Sequence, residues 1–296
     1  MPRALLILGP ALAVAFGVGM IAVLNAAKAG TDVEKDMRQV APGARPRTLG
    51  PADAELAVLC VHGFVGGANN FGALPEALAA KGWRVHCMRL PGHGTRARDL
   101  KRVTADELRD AVEAETTRLL KQHENVVLAG HSMGGALSTL VAAGKSAAGL
   151  VLAAPYFGVT HKWYYLMRPE QWVKVSGPIV PWLYKGELFL QVNRKEAKDE
   201  IYSYTWVPMK AVKTLMELGR RAGEDAVLKK VACPVLLVHG VDDEAASHEA
   251  AAEAFEGMAA EDKRAVWLKN SNHHLFFDYD REQAIAEIVK FVEGLT

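Results

Sequence analysis

From Leu56 onward, short apolar runs alternate with segments of helical period, and this alternation leaves the chain few ways to fold. The apolar runs are 56–61, 84–90, 125–129, 149–154, 234–239 and 264–268. The helix-period segments are 70–81, 104–122, 133–145, 208–221, 247–258 and 281–293. Parallel strands need long crossover connections, and helices usually supply them. The pattern therefore predicts an α/β fold, with a mostly parallel central sheet flanked by helices on both faces. In such sheets functional groups collect beyond the carboxyl ends of the strands, which directs attention to the residues that follow each apolar run.

Three regions depart from the alternation. Residues 1–30 form an N-terminal hydrophobic segment with no charged residue from Ala4 to Ala27, long enough to span a bilayer. The reading is an uncleaved membrane anchor. The alternative is an export signal, cleaved near Ala27-Lys28-Ala29. Lys28, Lys35 and Arg38 follow the segment while only Arg3 precedes it, which leans towards a cytoplasmic catalytic domain. Residues 31–55, broken by Pro42, Gly43, Pro46, Gly50 and Pro51, read as a linker with at most one short edge strand.

The third departure lies inside the main domain, 56–296. About eighty residues separate the fourth apolar run from the fifth, where one crossover needs about a dozen. Residues 156–206 carry four of the six tryptophans and six of the seven tyrosines, and read as a small inserted cap over the sheet's carboxyl edge. Such a cap suits an apolar acyl pocket, although aromatic residues are also what a small insertion needs simply to pack. With 35 basic against 34 acidic residues there is no surplus charge for nucleic acid. Three cysteines, Cys60, Cys87 and Cys233, show no CxxC spacing. They read as buried small hydrophobes, outside any disulfide framework or zinc site.

The chemistry centres on Gly130-His131-Ser132-Met133-Gly134, a G-x-S-x-G match placed where a strand ends and a helix begins. A sharp turn there lifts the serine hydroxyl above the sheet edge, and glycines at both ends let strand and helix close together. An acyl-transfer nucleophile also needs two amide donors for the developing oxyanion. The candidates are the backbone N–H groups of Met133 and of Phe64, in the turn that follows Val58-Leu59-Cys60-Val61-His62-Gly63. His62 reads as a loop-ordering residue. A carboxylate to orient a base histidine is available at Asp242 or Asp243, after the run ending at His239. The base itself is His273 or His274, in the loop before the last helix. The order Ser, Asp, His along the chain is that of α/β-hydrolases and differs from those of chymotrypsin and subtilisin.

These segments resemble the carboxylesterase, monoacylglycerol lipase and lysophospholipase branch of the α/β-hydrolase superfamily, which includes the serine aminopeptidase S33 type. Val61-His62-Gly63-Phe64-Val65-Gly66 is similar to that branch's oxyanion loop, and Arg89-Leu90-Pro91-Gly92-His93-Gly94 to the loop after its next strand. His93 reads as structural. The resemblance implies Asp243 as the acid, three residues after Gly240, and His273 as the base, after Ser271-Asn272. It implies a serine hydrolase that uses a Ser132–His273–Asp243 triad on a carboxylic ester, with a monoacylglycerol or lysophospholipid as the favoured substrate. It implies neither metal nor organic cofactor. The alternatives are aminopeptidase, thioesterase or perhydrolase chemistry on the same triad, or a non-catalytic, membrane-tethered binding module. Oligomeric state is open.

Overall fold

The computed structural model describes residues 40–160, 171, 173, 180–185 and 190–296. The N-terminal hydrophobic segment expected at 1–30, and part of the expected cap, lie outside the described residues. Among the described residues no helix is long and apolar enough to cross a membrane.

The strands are β1 (Arg47–Leu49), β2 (Leu56–Val61), β3 (Arg84–Cys87), β4 (Asn125–His131), β5 (Gly149–Ala153), β6 (Trp182–Tyr184), β7 (Trp206–Pro208), β8 (Val235–Gly240) and β9 (Lys263–Leu268). The helices are α1 (Leu74–Ala79), α2 (Ala105–Leu120), α3 (Met133–Ala142), α4 (Met209–Ala222), α5 (Asp225–Leu228), α6 (His248–Gly257) and α7 (Arg281–Glu293). Seven strands form one sheet in the order β1-β3-β2-β4-β5-β8-β9, while β6 and β7 pair separately. Only the edge strand β1 runs antiparallel within the large sheet. This is the expected α/β architecture, and β1 is the short edge strand anticipated in the linker.

The central strands are apolar throughout because both faces of the sheet are covered. Successive residues of one strand serve opposite cores. Val58 and Cys60 of β2 pack with Val127, Val151, Leu236 and the α7 residues Ile288 and Val292. Ala57, Leu59 and Val61 pack instead with Leu128, Leu152, Leu237 and residues of α2 and α3. Helix α2 begins with a reciprocal cap: Glu107 N donates to Thr104 Oγ1, and Thr104 N donates to the Glu107 carboxylate.

Two expectations are corrected. The single helix expected over 70–81 is a 3-10 turn, Ala68–Phe71, followed by α1. Gly72 separates them at φ +51, where a Cβ would stand 2.7 Å from the Phe276 carbonyl oxygen. The strand expected to reach 90 stops at Cys87, and beyond it the Leu90 amide donates to the His62 ring in place of a neighbouring strand. Cys60 and Cys87, distant in sequence, are register partners across β2 and β3 and are buried; Cys233 is only half-buried.

Candidate active site

The turn between β4 and α3 holds Ser132 at φ 55 and ψ −119, a conformation that side chains rarely adopt. Such a backbone costs on the order of 1–3 kcal/mol, and neighbouring contacts must hold it. Ser132 N donates to Ala153 O at 3.0 Å, and Ser132 O accepts from Gly135 N at 2.9 Å and Tyr156 N at 3.0 Å. The flanking glycines are sterically required. A Cβ on Gly130 would lie 2.3 Å from Gly134 O, and one on Gly134 would lie 1.8 Å from Val61 O.

Three of the expected residues meet at the carboxyl edge of the sheet. His273 Nε2 is 2.8 Å from Ser132 Oγ, and His273 Nδ1 is 2.8 Å from Asp243 Oδ2. A carboxylate only accepts, so Nδ1 carries the proton and Nε2 presents its lone pair to the serine hydroxyl. All three side chains are buried. Asp242 is exposed, and among the described residues no hydrogen bond joins His274 to Asp243, the His274 backbone N–H donating to Gln191 O at 3.0 Å. Of each adjacent pair, Asp243 and His273 are therefore the members brought to Ser132.

The Asp243 carboxylate is saturated with donors. Oδ1 accepts from Ala245 N and Ala246 N, both at 2.8 Å, and Oδ2 accepts from His239 Nε2 at 3.0 Å as well as from His273. Burial pushes its pKa up, but the combined charge and hydrogen bonds of His273 and His239 outweigh it. The group is held well below the usual carboxylate range.

The base loop is fixed from both sides. His131 Nε2 donates to His273 O at 3.0 Å, and His273 N donates to Asn272 Oδ1 at 2.9 Å. Asn272 N donates to Asp278 Oδ2 at 2.8 Å, and Asp278 also accepts from Asn193 N and Arg194 N. The supporting roles of His131, His239, Asn272 and Asp278 carried no signal in spacing or motif, since each depends on contacts between distant segments.

The Phe64 loop lies against the serine: a Cβ on Gly63 would approach Ser132 Cβ to 3.0 Å. Among the described residues neither Phe64 N nor Met133 N has a hydrogen-bond partner, so both amides are available to a ligand. His62 orders this loop, as expected. Leu90 N donates to its Nε2 at 3.1 Å, so the proton sits on Nδ1, which donates to Gly63 O at 2.8 Å. Burial and the neighbouring His93 push its pKa well down, and it stays neutral. His93 is likewise structural, its Nδ1 donating to Pro91 O at 2.9 Å.

Ser132 and His273 open into a cavity of about 540 Å³ whose wall includes Phe64, Tyr156, Val207, Met209, Val212 and Leu215. Among the described aromatic residues of the cap, Tyr156 lines this wall, while others pack on one another. Tyr184 packs edge-on against Trp206, and Tyr202 against Tyr204. Much of the wall is α4, beyond the expected end of the cap at 206. Among the described residues no group of three or more His, Cys, Asp or Glu side chains is placed to hold a metal ion.

The chain as a whole is similar to known proteins. The family model described as serine aminopeptidase, S33 matches residues 52–280. A thermostable monoacylglycerol lipase from Bacillus sp. (strain H-257) is 28% identical over 243 residues, 79% of this chain and 89% of the relative. A carboxylesterase from Bacillus subtilis (strain 168) is 22% identical over 260 residues, 88% of this chain and 99% of the relative. Among solved structures, one from work on two metagenome-derived lipolytic enzymes superposes with a TM-score of 0.76 at 25% identity, covering 86% of this chain and 99% of that one. A soluble variant of the Saccharomyces cerevisiae monoglyceride lipase shares the fold, with a TM-score of 0.74 at 16% identity over 85% of this chain and 91% of that one.

Proposed function

The chain belongs to the serine aminopeptidase S33 family of α/β-hydrolases, in its lipase and esterase branch, and from that premise we propose that it hydrolyses apolar acyl esters of the mono- or lysoglyceride kind through Ser132, His273 and Asp243. The observation that carries this reading is the unbroken contact chain from Asp243 Oδ2 through His273 to Ser132 Oγ, facing an apolar cavity.

In the first step His273 Nε2 takes the Ser132 proton as Oγ attacks the ester carbonyl. Asp243 holds the tautomer and stabilises the imidazolium that forms. The Phe64 and Met133 amides donate to the oxyanion, each contributing on the order of 2.7–4 kcal/mol in the transition state. His273 then protonates the departing alkoxide, leaving an acyl-Ser132. A water deprotonated by His273 attacks that acyl group, and the returned proton restores Ser132 as the fatty acid leaves. The relatives' names support a glyceride ester over an amide or a thioester. In this reading the hydrophobic segment 1–30 tethers the domain beside its lipid substrate, which membrane fractionation of the full chain tests.

The deciding test is fluorophosphonate labelling of the full-length protein beside Ser132→Ala, with turnover of p-nitrophenyl esters of increasing chain length. The expected result is labelling and turnover that vanish together in the variant. A folded wild type that neither labels nor turns over would identify a binding module instead.

A further inference from the structure

Among the described residues the cavity wall is mostly aliphatic, aromatic or sulfur-bearing, and it holds one ammonium. Lys185 follows directly on β6 and lines the same cavity as Ser132. Its Nζ donates to Ser203 Oγ at 3.2 Å. An ammonium carries three donors, and this hydroxyl meets one of them. Burial lowers its pKa to about 8, and no carboxylate among the described residues stands close enough to oppose that effect.

A second polar residue lines the same cavity. It is His274, whose Nδ1 is buried with no hydrogen-bond partner among the described residues. Burial is the main cause of its strongly lowered pKa, and the charges of His273, His131 and Lys185 add to it. Buried ammonium groups without compensation are costly, and a few convergent polar groups in an apolar cavity are what orient a ligand.

We propose that Lys185 provides an anion subsite within the substrate cavity, so that the preferred ester also carries a carboxylate or phosphate group. The proposal rests on Ser132 being the nucleophile, and it deepens that reading by naming the substrate's second feature. The apolar wall takes the hydrocarbon, and Lys185 takes the charge. A neutral monoacylglycerol brings the ammonium no counter-charge, whereas an anionic acyl ester supplies one that no carboxylate among the described residues is seen to provide.

The test compares two matched pairs of esters on the full-length protein. The pair 1-oleoylglycerol 3-phosphate and 1-oleoylglycerol puts the charge on the alcohol side. The pair mono-p-nitrophenyl adipate and p-nitrophenyl hexanoate puts it on the acyl side. In one pair the wild type is expected to favour the anionic ester by about tenfold in kcat/KM, the scale of one charge-assisted hydrogen bond. Lys185→Met should abolish that ratio, chiefly through KM, and Lys185→Arg should keep most of it. Because the ratio is read within each protein, a general loss of folded enzyme does not imitate the effect. No anionic preference in either pair, or a preference that survives Lys185→Met, overturns the subsite. Turnover of the neutral esters undiminished in Ser132→Ala would overturn the underlying nucleophile assignment instead.

Discussion

His131, the residue before the candidate nucleophile, donates from Nε2 to the main-chain oxygen of His273, the candidate base, at 3.0 Å. The bond joins the β4–α3 turn to a loop 142 residues away and sets the height of the base over the serine. Burial and the charge of His273 hold the His131 pKa at about 3, so the ring stays neutral at working pH and contributes position, not charge.

His131→Phe keeps the ring's bulk and removes only its hydrogen bonding. Misplacing a reacting group by about an ångström costs up to a hundredfold in rate. The variant is expected to lose roughly ten- to a hundredfold in kcat with KM nearly unchanged. Steady-state kinetics on a p-nitrophenyl ester measures both, and an equal rise in KM would point to a deformed cavity instead.

Asp243→Asn tests the acid. The amide can donate to His273 Nδ1 and so leave the proton on Nε2, the wrong tautomer for accepting from Ser132. The expected loss is roughly four orders of magnitude in kcat. Asp242→Asn, at an exposed neighbour, should leave turnover near wild type. A reversal of these two results would mean that the contact of Asp243 with His273 is not the working one.

Much of this arrangement is legible in the sequence, and the reason differs by element. A short continuous apolar run marks a strand buried on both faces and a 3.6-residue period marks a helix, so the bounds of β2 at Leu56–Val61 and of α7 at Arg281–Glu293 match their expected spans to the residue. Gly130, Ser132 and Gly134 are legible because the turn's geometry forbids other residues there. The choice between Asp242 and Asp243 is not, since alternation alone cannot say which way a loop carboxylate points. Lys185 is also hidden: its place in the wall of the Ser132 cavity depends on tertiary folding, and no local pattern encodes that.

Gly134→Ala separates a steric requirement from backbone preference. Its Cβ would fall 1.8 Å from Val61 O, a backbone atom that cannot move without shifting β2. The expected destabilisation is about 3 kcal/mol or more. Gly82→Ala is the control. Gly82 sits at φ +86, and nothing lies within 4 Å of where its Cβ would stand, so only the left-handed backbone is penalised, by about 1–2 kcal/mol. Urea unfolding of both variants reads the difference.

Stability should fall with acid well before carboxylates titrate. His62, His93, His131 and His274 are buried, and burial depresses all four pKa values, to about 4 for His93 and about 3 for His131. In the unfolded chain each titrates near 6.5. Below that pH the unfolded state binds protons that the native state refuses, so each histidine removes up to about 1.4 kcal/mol of stability per pH unit. The contribution is complete above about pH 6.5 and is lost progressively towards pH 4. Asp243, whose pKa is depressed, acts in a lower window: its contribution is present above the unfolded carboxylate value of about 3.9 and disappears only below it. Urea unfolding is therefore expected to give nearly constant stability between about pH 7 and 8 and a loss of several kcal/mol by about pH 5. A profile flat to about pH 4 would mean that these rings accept protons in the native state, and that their burial is less complete than their contacts indicate.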